Sequence, residues 1–149
     1  MSNPTSAEWS SETVEHGYRR RLGRSLMKGL SVGLLTGMGA FVYNATQFVP
    51  GETDLRLMLV PVFAAGAFAY LFAESLRESA RLGLFGFFVG LVVFLGAWIA
   101  PLWILPYSPT ARDILLPRML GEGGMAFIAC SGAYLAGYLS IVSIAAFWE

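Results

Sequence analysis

Charged residues are nearly absent from four long stretches of this 149-residue sequence, and they make up only 13% of the whole chain. A soluble domain usually carries about a quarter charged residues. Because the deficit is concentrated in runs long enough to cross a hydrocarbon layer, the composition predicts an integral membrane protein. The formal net charge is zero, so no overall field attracts nucleic acid, and we expect no nucleic-acid partner.

Residues that carry redox, metal or acid–base chemistry are also scarce. Cys130 is the single cysteine, which excludes an internal disulfide and any paired-cysteine redox or zinc motif. His16, the single histidine, lies in the polar N-terminal stretch, so two histidines cannot hold a haem within the membrane. The apolar runs have no ionisable residue at their centres, where ion-coupled carriers usually need one. We therefore expect no cofactor, no metal, no catalytic residues and no enzymatic activity.

Hydropathy divides the chain into a polar cytoplasmic tail, 1–24, and a four-helix transmembrane domain, 25–149. The predicted fold is all-α, an integral membrane bundle of four transmembrane helices with spans at about 26–48, 55–73, 82–100 and 125–147. Pro61 is expected to bend the second span, and the glycines of 121–124 to interrupt the chain before the fourth. Pro109 opens a short segment that predicts an interfacial helix in the loop between spans three and four.

Positive charge is distributed unequally about the predicted spans. The segments assigned to the inner side hold Arg19, Arg20, Arg21, Arg24, Lys28, Arg77 and Arg81, whereas the outer loops hold Arg56, Arg112 and Arg118. Because positive residues are retained on the cytoplasmic side, we predict that both termini are cytoplasmic. The preference for arginine over lysine is typical of GC-rich genomes, and the expected location is the cell membrane of a prokaryote.

Small residues recur at four-residue spacing, which places them along one face of a helix. The predicted helix-packing residues are Ser25, Gly29, Gly33 and Gly37 in the first span, Gly86 and Gly90 in the third, and Ala133 and Gly137 in the fourth. A second row in the fourth span contains Gly132, Ala136 and Ser140. Such rows let two backbones approach closely, either between protein chains or among the helices of one chain, and the spacing does not distinguish these alternatives.

Polar residues near the outer ends of the spans form a second candidate site. The residues proposed to bind an anion or a lipid headgroup are Asn44, Gln47, Arg56, Arg112 and Arg118. Arginine suits phosphate and carboxylate because its guanidinium donates two parallel hydrogen bonds. The competing interpretation is that these side chains only meet water and headgroups at the membrane surface.

The patterns favour a small membrane protein that acts by association between helices. Its expected partners are the lipid bilayer and either other membrane subunits, for which it would be an accessory or assembly subunit, or further copies of itself. The alternative is an oligomeric channel or facilitator for a small solute, in which pore diameter and backbone groups replace charges. An enzyme would require Arg112, Asp113 and Glu122 to assemble at the outer rim, a weaker hypothesis.

The predicted orientation can be tested by cysteine labelling on intact cells. A Ser108→Cys variant should react with a membrane-impermeant thiol reagent, because residue 108 belongs to an outer loop. A cysteine placed in the N-terminal tail should react only after the cells are opened. The reverse pattern, with protection at residue 108 and labelling of the tail, would overturn the orientation.

Overall fold

The structure is a computed structural model that describes residues 6–46, 54 and 56–148, with side chains from Leu22 onward in the first helix. Every regular element in the described part of the chain is helical. The helices are α1 (Ser6–Thr46), α2 (Val60–Leu71), α3 (Leu76–Ile99), α4 (Pro101–Ile104) and α5 (Pro109–Trp148), and a 3₁₀ turn, Leu57–Leu59, leads into α2. The predicted all-α class is thus confirmed.

Three of the helical segments are long and apolar enough to cross a membrane: Leu22–Thr46, Leu76–Ile104 and Pro109–Trp148. The apolar segment Leu57–Leu71 is shorter. These lengths and compositions suggest a membrane protein, in agreement with the hydropathy of the sequence. The predicted second span at about 55–73, the side of the membrane on which the termini lie and the division at residue 25 stay predictions.

The helix expected to start near residue 125 begins much earlier, and the prediction of a break at residues 121–124 is wrong. α5 continues through Pro117 and all three glycines, so the predicted interfacial segment forms its first turns and is not a separate helix. No described glycine has a positive φ, the conformation that ends a helix most readily. Gly123 is buried against Trp98 and Phe94, so packing overrides the weak helix propensity of glycine there.

Two further local expectations are corrected by the helix boundaries. The charged segment 74–81 lies between the predicted second and third spans, and its residues 76–81 form the first turns of α3. Ser75 caps this helix, since its Oγ accepts a hydrogen bond from the Glu78 amide at 3.2 Å. Pro61 lies in the first turn of α2, where a missing amide proton costs no helical hydrogen bond, so no bend is needed.

Four of the helices pack as two close pairs, α1 with α3 and α2 with α5, and α2 also contacts α1. The core between them contains the fully buried side chains of Val32, Val62 and Phe94. Phe94 stacks on Phe127 of α5, with ring centroids 5.8 Å apart. The interior of the described bundle therefore contains mainly aliphatic and aromatic groups, together with the buried polar residues Thr36, Asn44 and Ser79.

Candidate functional site

A close approach of two backbones joins α1 to α3 through glycines from both helices. A β-carbon built on Gly33 would lie 3.0 Å from the carbonyl oxygen of Gly86, and would also clash with Val89. A β-carbon on Gly90 would lie 3.2 Å from the carbonyl oxygen of Gly33 and 2.8 Å from the Thr36 side chain. A β-carbon on Gly37 would lie 2.8 Å from the carbonyl oxygen of Gly90. Any side chain larger than hydrogen would force these two helices apart.

A second close approach joins α2 to α5 through Gly66 and Gly137, and the four-residue spacing in the sequence identified only Gly137. A β-carbon on Gly137 would clash with the carbonyl group of Phe63, and one on Gly66 would clash with the carbonyl group of Tyr134. Gly137 belongs to the predicted packing set, whereas Gly66 does not. Gly66 has no glycine four residues away, but the small Ala65 and Ala69 beside it were a usable signal.

The eight predicted packing residues therefore occupy different positions in the bundle. Gly29, Gly33, Gly37, Gly86 and Gly90 all lie in the α1–α3 contact, and Gly137 lies in the α2–α5 contact. Ala133 is half-buried, and Ser25 is exposed near the start of the described side chains of α1. The longest glycine row of the sequence, Gly29 to Gly37, is thus covered by α3 of the same chain.

A different row of small residues remains uncovered on α5. Ala129, Gly132 and Ala136 are exposed and lie at three- and four-residue spacing, on what we call the α5 face. A β-carbon built on Gly132 would meet no described atom within 4 Å. Large apolar side chains border this face, among them Ile128, which is 67% exposed. The α5 face is therefore accessible on the surface of the bundle.

Hydroxyl groups connect α5 to α3 inside the bundle. The buried Tyr134 hydroxyl donates to the carbonyl oxygen of Gly83 at 2.9 Å. Ser79 Oγ donates to the carbonyl oxygen of Leu76 at 2.8 Å, so the Tyr138 hydroxyl, 3.0 Å from Ser79 Oγ, is left to donate to it. These interhelical bonds satisfy polar groups that would be costly to leave unpaired in an apolar interior.

An ion-pair cluster fixes the start of α3 against α1. Lys28 Nζ lies 3.9 Å from Glu74 Oε1 and 3.8 Å from Glu78 Oε1. Glu78 Oε2 also accepts a hydrogen bond from the Glu74 amide at 3.0 Å. The carboxylate of Glu78 is therefore held on the side of α3 that faces α1.

The residues of the predicted outer anion site have different surroundings in the structure. The Arg112 guanidinium lies over the Trp103 ring, 5.5 Å from its centroid, and Arg118 pairs with Glu122 at 2.9 Å. Arg56 is exposed. Asn44 is buried, and its Nδ2 has no hydrogen-bond partner among the described residues. Gln47 lies outside the described residues.

The three residues named for a catalytic group at the outer rim have different partners. Glu122 accepts the hydrogen bond from Arg118, while Arg112 contacts the Trp103 ring and Asp113 is exposed. Within residues 6–46, 54 and 56–148, no group of three or more histidine, cysteine, aspartate or glutamate side chains is arranged to hold a metal ion. The closest and most specific contacts in the described residues lie between helices.

In the described part of the chain, fold and surface together define a helical protein with three segments long and apolar enough to cross a membrane and with an uncovered small-residue face on α5. No protein-family model matches the chain, and searches of curated proteins and of solved structures give no significant match. The function must therefore be inferred from the geometry itself.

The α1–α3 contact predicts a sharp difference between two glycine-to-alanine substitutions. Gly33→Ala should destabilise the bundle by about 1–3 kcal/mol, because the new methyl group overlaps Val89 and the α3 backbone. Gly96→Ala, on α3, is the matched control, because an added β-carbon there meets no described atom within 4 Å. Thermal unfolding in detergent, followed by circular dichroism, measures both. Equal stability of the two variants would contradict the close contact.

The Tyr134 hydrogen bond predicts a smaller effect. Tyr134→Phe should lower the free energy of unfolding by about 0.5–1.5 kcal/mol, since it leaves the carbonyl of Gly83 without this donor. Tyr107→Phe removes an exposed hydroxyl from the segment before α5 and should leave stability unchanged. Denaturant unfolding of both variants provides the comparison, and a loss confined to Tyr107→Phe would refute the assignment.

Proposed function

We propose that this protein acts by associating with other helices in a membrane, as an accessory or assembly subunit of a membrane complex or as a homo-oligomer. The observation that carries the proposal is the contrast between the two kinds of small-residue row. Gly29, Gly33, Gly37, Gly86 and Gly90 of α1 and α3 are covered within the chain, whereas Gly132 and its neighbours on α5 are not.

The α5 face has the shape that helix docking in lipid requires. Lipid tails are as apolar as leucine, so association there depends on close van der Waals packing and not on the burial of apolar surface. Ala129, Gly132 and Ala136 provide a shallow channel along the helix, and exposed Ile128 and Leu135 form its border. A second helix lying in this channel would gain contacts with backbone atoms that larger side chains would prevent.

The same geometry occurs inside the bundle, where its partner is visible. At the α2–α5 contact, Gly66 and Gly137 allow each backbone to approach the carbonyl groups of the other helix. The α5 face offers a comparable small-residue surface on a more exposed side of the same helix. This likeness supports docking of a helix, but it does not distinguish a foreign subunit from a second copy.

A channel or facilitator is the alternative function, and the packing restricts its form. Val32, Val62 and Phe94 are at most 1% exposed and occupy the interior between the helices. A solute path would accordingly have to form between chains in an oligomer. Flux of small neutral solutes in proteoliposomes, compared with empty vesicles, tests this alternative directly.

Substitution at the α5 face should separate association from folding. Gly132→Leu should weaken association by about tenfold or more, because its side chain fills the channel in which a partner helix would lie. Gly96→Leu introduces the same side chain at an open position of α3 and is the matched control. Both variants should keep the thermal stability of the natural chain.

The measurement is affinity capture after mild solubilisation of native membranes, followed by mass analysis and sizing of the captured material. Loss of a stoichiometric membrane subunit, or of a homo-oligomer, only in Gly132→Leu would support the proposal and identify the partner. If the oligomeric state and the co-purifying proteins were the same in all three proteins, the α5 face would not be the docking surface.

A further inference from the structure

A groove runs between α3 and α5 on the surface of the bundle, with a volume of about 330 Å³. Its lining residues are almost entirely apolar: Ala80, Gly83, Leu84, Phe87, Tyr134, Leu135 and Tyr138. The hydroxyl groups of both tyrosines are already engaged in the bonds to Gly83 and Ser79. The groove therefore offers hydrocarbon contacts and few free polar groups.

The walls of the groove indicate where its occupant comes from. α3 and α5 are two of the segments that are long and apolar enough to cross a membrane, and the groove lies open between them. Leu84 is 60% exposed and Leu135 is 54% exposed at its rims. An occupant entering from the side would meet these two leucines first, so its matching chemistry is a flexible hydrocarbon chain.

Positive charge lies beyond the Ala80 end of this groove. Arg77 precedes Leu84 by seven residues, which places it on the same face of α3 as that rim residue. The acidic groups near this end are Glu74 and Glu78, and both pair with Lys28 on the α1 side. α5 contributes no charged residue after Glu122 within the described range.

We propose that the α3–α5 groove binds an anionic phospholipid, with one acyl chain along Leu84, Phe87 and Leu135 and the phosphate at Arg77. The length of an arginine side chain allows its guanidinium to reach the headgroup level while its stem stays against apolar surface. Arg77 supplies the positive charge that selects an anionic lipid, and Lys28 offsets one of the two nearby carboxylate charges. This site adjoins the α5 face proposed for helix docking, because Leu135 lines the groove and also borders that face, but the groove does not include Ala129, Gly132 or Ala136.

Lipid retention by the purified full chain tests the proposal. The protein is equilibrated with mixed vesicles of phosphatidylcholine and phosphatidylglycerol, and bound lipids are counted by native mass spectrometry. The natural chain should retain one phosphatidylglycerol in preference to phosphatidylcholine. Arg77→Gln should reduce that preference about fivefold, the effect expected for one basic residue at a membrane surface.

Two matched controls give the result its meaning. Arg81→Gln removes the same charge one turn further along α3, at a residue that lines a separate cavity with Leu22 and Phe85. Ala80→Phe fills the groove and should reduce retention of both lipids, whereas Val92→Phe adds the same ring at an exposed position outside it. Circular dichroism and sizing establish that each variant is folded, and Ala80→Leu replaces Ala80→Phe if that variant is not.

The proposal is supported if preference falls in Arg77→Gln but not in Arg81→Gln, and retention falls in the groove-filling variant but not in Val92→Phe. Equal losses in the two arginine variants would mean nonspecific attraction to an anionic surface and would overturn it. Unchanged retention after filling of the groove, or displacement of the lipid by a co-purifying polypeptide in the groove, would overturn it as well.

Discussion

The backbone approach of α1 to α3 is the constraint on which the described bundle depends. Gly33, Gly86 and Gly90 leave no room for a β-carbon, so the two helices have one close arrangement and little freedom to shift. α2 and α5 form a comparable pair through Gly66 and Gly137, and hydroxyl groups on α5 join that pair to α3. In an apolar surrounding, where burial of apolar surface drives little, this close fit has to supply most of the specificity.

The sequence predicted which residues form close contacts better than it predicted what they contact. Four-residue spacing identified Gly29 through Gly37 because a helix makes such rows visible in any context. It did not assign their partner, since a row of small residues looks the same whether it faces α3 or another protein. Gly66 was missed because its neighbours are alanines and it has no repeat, and its role arises only from the depth at which α2 meets α5.

The predicted helix boundaries were wrong for a related reason, whereas the outer anion site stays a prediction. Gly121 to Gly124 and the charged segment 76–81 have the local composition of a break and a loop, yet continuous helices satisfy their backbone groups, and Ser75 caps the start of α3. The outer anion site grouped residues by their expected depth in the membrane. Depth alone does not specify direction around a helix, and Arg118 turns to its own helix while Arg112 turns to Trp103.

The brevity of α2 would have a consequence for a bilayer around the bundle. Its 12 residues and the 3 residues of the preceding turn span about 24 Å, whereas a typical hydrocarbon core measures about 30 Å. The exposed side chains of this short helix include Phe63, Phe68 and Leu71. Lipid tails next to them would have to compress to match the length of the helix. Such mismatch costs fractions of a kcal/mol per Å, enough to enrich a protein in thinner membranes and to draw it towards neighbours of similar hydrophobic length.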